Sequence, residues 1–321
     1  MAHYDVFNGD ADGICALQQL RLSNPIDSEL VTGVKRDIQL LKKVTGNPSD
    51  SITVFDISLD KNINDLIRLL ERDVTIEYFD HHFSGEIPSY PGLKTYIDTS
   101  PDTCTSLIVD EYLSGEHRLW AIVGAFGDSF DDRAHLFANT LSLKNSQTEL
   151  LKKLGTAMNY NAYGASEEDL HFKPDYLAQA VRPFRNPFDF IHESEICTTL
   201  QVGYEEDLNN AKHIKPEFQT ERTALYILPN QPWARRVSGV FANILSQKQP
   251  ERAHALLTEQ DNNSYLVSVR APLATKTGAD ELCRKFATGG GRKAAAGINN
   301  LSDKDYATFV NTFTDQFTNL N

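Results

Sequence analysis

Four short acidic clusters recur in the first half of the chain: Asn8-Gly9-Asp10-Ala11-Asp12-Gly13, Val54-Phe55-Asp56, Phe79-Asp80-His81-His82 and Gly124-Ala125-Phe126-Gly127-Asp128. Each follows a short apolar run. In an open parallel sheet the carboxyl ends of neighbouring strands converge on one crevice, so aspartates placed just after strands meet there although they are distant in sequence. Gathered carboxylates repel one another unless a cation sits among them. Carboxylates with imidazole, and no thiolate in the set, suit a hard divalent ion such as manganese or magnesium.

The clusters differ in how much they say alone. Asp10 and Asp12 lie two residues apart on a loop flanked by Gly9 and Gly13, a spacing that directs both carboxylates to one point or leaves one of them to cap the next helix. Asp56 alone reads equally well as a turn residue. Asp80-His81-His82 is the strong signal. One imidazole can bind metal while the other faces substrate, and Asp80 is available for the hydrogen bond that a ligating histidine usually makes.

Composition narrows the chemistry. The chain has 321 residues, enough for two domains, with 40% apolar and 23% charged residues, an ordinary globular balance. A net charge of −13 argues against general affinity for long duplexes, which depends on Lys and Arg releasing counterions from the phosphate backbone. A short oligonucleotide or small phosphorylated substrate, gripped by a local basic patch, fits better. Cys15, Cys104, Cys197 and Cys283 show no ligand-like pairing and read as reduced thiols in or near the core. No stretch approaches the roughly 20 apolar residues that span a bilayer, and the first residues read as a strand and not as a signal peptide, so no membrane association is expected and the cytoplasm is the expected compartment. The oligomeric state is not fixed by the sequence, and a homodimer is compatible with it.

The elements that must position these residues follow from periodicity. Strands are predicted at Tyr4 to Phe7, Leu30 to Val34, Ile52 to Phe55 and Val74 to Phe79, alternating with helices at Gly13 to Leu22, Asp37 to Val44 and Ile63 to Leu70. This alternation implies an α/β fold with a mostly parallel sheet covered on both faces. A helix is expected from near Asp102-Thr103 through Leu113, and the region from Leu119 to about Ile196 reads as mainly helical. We expect an N-terminal domain over residues 1–192, a linker helix over 193–215 and a smaller C-terminal α/β domain over 216–321, with a cleft between the two. In the last region strands are expected at Ala224 to Leu228, Ala253 to Leu257 and Tyr265 to Val269. Helices are expected at Ala234 to Leu245 and near Ala279 to Phe286. Gly289-Gly290-Gly291 would let backbone N–H groups approach an anion, and Ala294 to Ala296 is expected to open a helix. Trp233, Arg235 and Arg236 suit stacking on a base and gripping phosphate as well as they suit a plain helix start.

The order Asn-Gly-Asp-Ala-Asp-Gly, Phe-Asp, Asp-His-His and Gly-Asp resembles the motifs of the DHH phosphoesterase superfamily. That superfamily includes RecJ-type exonucleases, nano-RNases, cyclic-dinucleotide phosphodiesterases, exopolyphosphatases and family II pyrophosphatases. Thr103-Cys104-Thr105-Ser106 is similar to a small-residue stretch after its third motif. Val267-Ser268-Val269-Arg270 and Gly290-Gly291-Arg292-Lys293-Ala294-Ala295-Ala296-Gly297 resemble the Ser-x-Arg strand and the glycine loop of the DHH-associated domain. The resemblance implies a phosphohydrolase with two Mn2+ or Mg2+ ions. Asp10 and Asp56 would hold one ion; Asp12, Asp56, His81 and Asp128 would hold the other. Two such ions stabilise both the attacking and the departing oxygen. His82, Asp56 and Asp80 would form the catalytic set, with His82 on the scissile phosphate or leaving oxygen. Arg270, Gly290, Gly291, Arg292 and Lys293 would bind substrate.

Two departures from the pattern matter. Val6 and Asn8 stand where relatives carry a ligating His or Asp, so the first ion keeps at best one neutral ligand, Asn8. Arg292 replaces the usual His of the glycine loop and brings a permanent, bidentate charge. Phosphodiester hydrolysis is the leading expectation. Phosphoanhydride hydrolysis and non-catalytic nucleotide binding remain open at this point.

Overall fold

The structure is a computed structural model that describes residues 1–318. Its elements form two compact units, Met1–Tyr204 and Glu205–Asn321.

The first unit begins β1 His3–Phe7, α1 Ala11–Ser23, β2 Glu29–Val31, β3 Ser51–Phe55, α2 Leu59–Leu70, β4 Thr75–Asp80 and β5 Leu93–Ile97. The helices α3 Thr105–Tyr112, α4 Arg118–Gly127, α5 Asp131–Thr140, α6 Asn145–Asn161, α7 Pro174–Val181 and α8 Pro187–Glu193 follow. The long helix α9 Glu195–Lys212 contains the division between the units. The five strands pair in the order β2-β1-β3-β4-β5, all parallel.

Alternation along each strand sends successive residues to opposite faces. Phe7, Phe55 and Phe79 join a core with α1, α3 and α4, whereas Val6, Val54 and Tyr78 join a second core with Leu59, Leu66 and Leu69 of α2. On the first face Phe79 stacks between Phe55 and Tyr96, with centroids at 5.6 and 4.6 Å. Close helix packing depends on small residues: a Cβ at Gly127 of α4 would lie 2.3 Å from that of Ala11.

Three expectations need correction here. The helix expected over Asp37 to Val44 is only a 3-10 turn, Leu41–Lys43. Its apolar residues Leu40, Leu41 and Val44 are buried as expected, but α2 side chains take the backbone groups that helical bonds would have used. Asn62 accepts from Leu41 N (3.2 Å), and Arg68 donates to the carbonyls of Leu41 (3.2 Å) and Val44 (3.0 Å). Strand β5 was not expected at all; it is a half-exposed edge strand, where the apolar signal is weakest. The cluster ending in Asp128 forms the last turn and C-cap of helix α4 and does not follow a strand.

The second unit contains β6 Phe218–Gln219, β7 Thr223–Leu228, α10 Pro232–Lys248, β8 Ala253–Gln260, β9 Ser264–Arg270, α11 Ala279–Cys283, β10 Gly289–Gly291, β11 Ala295–Ser302 and α12 Tyr306–Thr318. Its sheet is mixed, in the order β10-β11-β9-β8-β7-β6, with β7 and β8 parallel and joined through α10. The helix expected to open at Ala294 to Ala296 is strand β11 instead. Val267 to Arg270 supplies a ladder for Ala295 to Ile298, and this pairing satisfies backbone groups that a helix would have bonded internally. Arg236, in the first turns of α10, is committed to Asp207 by bonds of 2.8 and 3.0 Å. All four cysteines are buried and free of disulfides. Among the described residues no helix is long and apolar enough to cross a membrane.

Candidate metal centre

In this strand order the chain leaves β1 toward β2 on one side and resumes at β3 on the other, so a crevice opens at the carboxyl ends of β1 and β3. Asn8, Asp10 and Asp12 follow β1, Asp56 follows β3, and Asp80 ends β4 with His81 and His82 after it. Asp128, the C-cap residue of α4, joins them.

The loop after β1 is tightly packed. A Cβ on Gly13 would fall 2.2 Å from the Asn8 carbonyl oxygen, so close approach of backbone explains the glycine there. Asp10 is the N-cap of α1: its Oδ1 accepts from Asp12 N and Gly13 N at 3.0 and 3.1 Å. Asp12 reaches across to α3, accepting from Thr105 N at 2.7 Å and Ser106 N at 2.8 Å. Asp56 has a left-handed backbone, φ 58°, which turns the chain sharply off β3. Aspartate and asparagine are the non-glycine residues that adopt this region most readily. Its Oδ1 accepts from Thr105 Oγ1 at 3.0 Å.

The two histidines have separate partners. His81 Nδ1 lies 3.1 Å from the Thr103 carbonyl oxygen. A carbonyl only accepts, so Nδ1 carries a proton, and Nε2 is the ring nitrogen turned toward the carboxylates. Nε2 is 3.4 Å from Asp56 Oδ1 and 3.5 Å from Asp128 Oδ2. His82 Nδ1 is 2.7 Å from Asp80 Oδ1. Thr103 therefore orients His81, and the Asp80 bond goes to His82.

The electrostatics follow this crowding. Burial, and then the charges of Asp10, Asp12, Asp128 and Asp80, push the Asp56 carboxyl well above the usual range. Burial and the Asp12 charge raise Asp128 to about 6. Burial disfavours the His82 cation, but the bond and charge of Asp80 outweigh it and raise the imidazole. Asp10 is the exception: burial raises it, yet the Lys35 ammonium brings it below its ordinary value.

Lys35 is the residue that sequence reasoning missed. It follows β2, so it emerges at the same end of the sheet as the aspartates, and its Nζ donates to Asp10 Oδ2 at 2.5 Å and Asp128 Oδ1 at 3.2 Å. The signal available was its position after a strand. Asn8 is buried, its Nδ2 donating to the Lys35 carbonyl at 3.4 Å and its Oδ1 without a hydrogen-bond partner.

Ligand-capable atoms of Asp56, His81 and His82, and likewise of Asp12, His81 and Asp128, lie within 4.8 Å of one another. His81 belongs to both groups. Oxygen-rich donors with one imidazole lone pair fit a hard divalent ion, and the buried Asp80 Oδ2 also lacks a partner among the described residues.

The expected substrate residues all lie in the second unit. Gly290 and Gly291 pair with Gly297 and Ala296 in the β10–β11 hairpin, and Arg292 and Lys293 form its exposed tip. Gly291 has φ 140°, and a Cβ there would come 2.5 Å from Ala296 Cα. Arg270 faces Ala295 across the ladder, and its guanidinium donates to Asn243 Oδ1 at 2.8 Å and Ser268 Oγ at 3.0 Å. The hairpin thus places Arg270 beside the turn that carries Arg292 and Lys293.

Solved structures share this architecture. The exonuclease RecJ bound to manganese matches with a TM-score of 0.64 at 14% identity, over 100% of this chain and 91% of that one. CDC45 from Entamoeba histolytica matches with a TM-score of 0.59 at 8% identity, over 99% and 95%. The pGpG-specific phosphodiesterase PggH from Vibrio cholerae matches with a TM-score of 0.55 at 13% identity, over 98% and 100%. No protein-family model matches the sequence, and a search of curated proteins finds no relative.

Proposed function

The chain has a DHH-like fold, and from that premise we propose that it is a divalent-metal-dependent phosphohydrolase acting on phosphodiesters of short oligonucleotides or small nucleotides. The observation that carries this reading is the position of His81, whose Nδ1 is held by the Thr103 carbonyl while Nε2 lies between Asp56 and Asp128. Asp12, Asp56, His81 and Asp128 would hold the ion, manganese or magnesium. When bound, it neutralises charge developing on the phosphoryl oxygens and lowers the pKa of water, providing a nucleophile at neutral pH.

The remaining roles belong to the protein. Thr105 fixes the Asp56 carboxylate by its hydroxyl. Asp80 accepts from His82 Nδ1 and favours the imidazolium, in which Nε2 also carries a proton and would donate it to a phosphate or departing oxygen. His82 is the more open of the two histidines, with its side chain 45% exposed against 14% for His81. In the second unit, Arg270, Arg292 and Lys293 form a cationic edge whose chemistry suits phosphate groups. The net charge of −13 favours small phosphorylated substrates over long duplexes. The manganese-bound exonuclease and the pGpG phosphodiesterase that share the fold support the same substrate class.

The test is a panel of short RNA, linear dinucleotides, pAp and polyphosphate with Mn2+, using Asp56→Ala as the background. Cleavage of the nucleotide substrates is expected. Cleavage of polyphosphate alone would move the activity to phosphoanhydrides. Metal binding with no cleavage of any substrate would make the chain a nucleotide-binding protein.

A further inference from the structure

The sequence pattern asks Asp10 to hold one of two ions, yet its Oδ2 already faces an ammonium, whereas both oxygens of Asp12 accept only from neutral backbone N–H groups. Asp10 Oδ1 caps α1 through Asp12 N and Gly13 N, and its Oδ2 accepts from Lys35 Nζ. The ammonium is equally committed, donating to Asp10 Oδ2 at 2.5 Å, Asn159 Oδ1 at 2.9 Å and Asp128 Oδ1 at 3.2 Å. Three acceptors use all three of its N–H groups. The site is built for this lysine: Asn159 projects from α6, its Nδ2 donating to Tyr163 Oη at 2.8 Å, and the Tyr163 ring lies 5.9 Å from Nζ. The Lys35 backbone is pinned as well, with its N–H on the Ala162 carbonyl at 3.0 Å.

Around Asp10 the positions other than Asp56 that the pattern would use are weak. Val6 has no donor atom and Asn8 offers a neutral amide. A divalent ion on Asp10 Oδ2 would sit against the ammonium, and like charges at that range repel strongly in a buried site. Around His81 the situation is reversed: Asp56 and Asp128 each turn an oxygen to its Nε2.

We propose that the centre is mononuclear, with Lys35 as a permanent built-in cation in the place of the first ion. One divalent ion binds at Asp12, Asp56, His81 and Asp128, while the ammonium neutralises Asp10 and steadies Asp128 from the other side. Lys35 is a positioning residue in this arrangement. The inference rests on the metal-dependent reading above, and metal counting separates the two.

The test is Mn2+ binding to the full-length protein, measured by equilibrium dialysis and by electron paramagnetic resonance. The wild type is expected to bind one Mn2+ per chain with the spectrum of an isolated ion. Lys35→Met is expected to bind two, with the broadened signal of an exchange-coupled pair, because removing the ammonium frees Asp10. Two coupled ions in the wild type would overturn the inference and leave the metal reading intact. No bound ion in the wild type would overturn the metal reading itself. A folded Lys35→Met variant that still binds one ion would also overturn the inference, since the lysine would not be what excludes the second. The wild-type count decides the matter even if the variant does not fold.

Discussion

Replacing Asp56 by Asn should separate stability from function. Asp56 Oδ1 and Asp128 Oδ2 both lie within about 3.5 Å of His81 Nε2, so they are no more than about 7 Å apart, and unit charges at that distance repel by about 2 kcal/mol at an effective dielectric near 20. Asn removes this repulsion, can still accept from Thr105 Oγ1, and tolerates the left-handed backbone. The metal-free variant should therefore gain up to about 2 kcal/mol, or about 4 to 8 °C in a unit of this size. Manganese at a hundredfold excess over its Kd should stabilise the wild type by about 2.7 kcal/mol, roughly 5 to 10 °C, and this shift should vanish in the variant. Turnover should fall by at least about 10³. Asp56→Ala should lose the same activity but be about 1 kcal/mol less stable than Asp56→Asn, because alanine pays the left-handed penalty. Differential scanning fluorimetry with and without Mn2+, beside a turnover assay, makes the measurement. An Asp56→Asn protein that retains the manganese shift, or that melts below the metal-free wild type, would refute the reasoning.

Three further outcomes are expected. His81→Ala should lose bound metal, while His82→Ala should keep it and turn over about 10² to 10⁴ more slowly; equal metal loss in the two purified variants would contradict the division of roles. Arg292→Ala should raise KM with a smaller effect on kcat, because an exposed hairpin arginine binds ground and transition states alike; a fall confined to kcat would place it in the chemistry. Burial, aided by the Arg252 charge, lowers His254 from 6.5 to about 4. The unfolded chain thus takes up that proton first. The stability contributed by neutral His254 is complete above pH 6.5 and is lost as pH falls toward 4, by up to about 3 kcal/mol. Unfolding midpoints across this range should fall less steeply for His254→Leu, and parallel curves would exclude His254 as the cause.

The sequence was most legible where one periodicity served one purpose. Phe7 and Phe55 end their strands and Phe79 is next to last in its own, all on the same face, and the residues just beyond them meet at the crevice. It was least legible where tertiary partners replaced local bonds. Leu40, Leu41 and Val44 have helical spacing and a helical partner, but Asn62 and Arg68 hold that segment as a turn. Ala294 to Ala296 lie after a glycine run that suits a helix start, and the free edge of β9 drew them into a ladder. Adjacency in sequence does not show which of two consecutive imidazoles Asp80 takes; the bonds to Thr103 and Asp80 do. Lys35 belongs to no acidic motif, and only the strand order brings the end of β2 beside that of β1.

The bonds from the Thr105 and Ser106 N–H groups to Asp12 join segments 93 and 94 residues apart. Asp10 likewise draws its loop onto α1 through backbone groups alone. The frame of the centre is thus assembled by the polypeptide, unlike small zinc domains in which the ion organises the chain. Metal affinity should then reflect charge and ligand count, with little cost of ordering. On the metal-dependent reading proposed above, chelation should leave the fold in place, and returning the ion should restore activity with no refolding step.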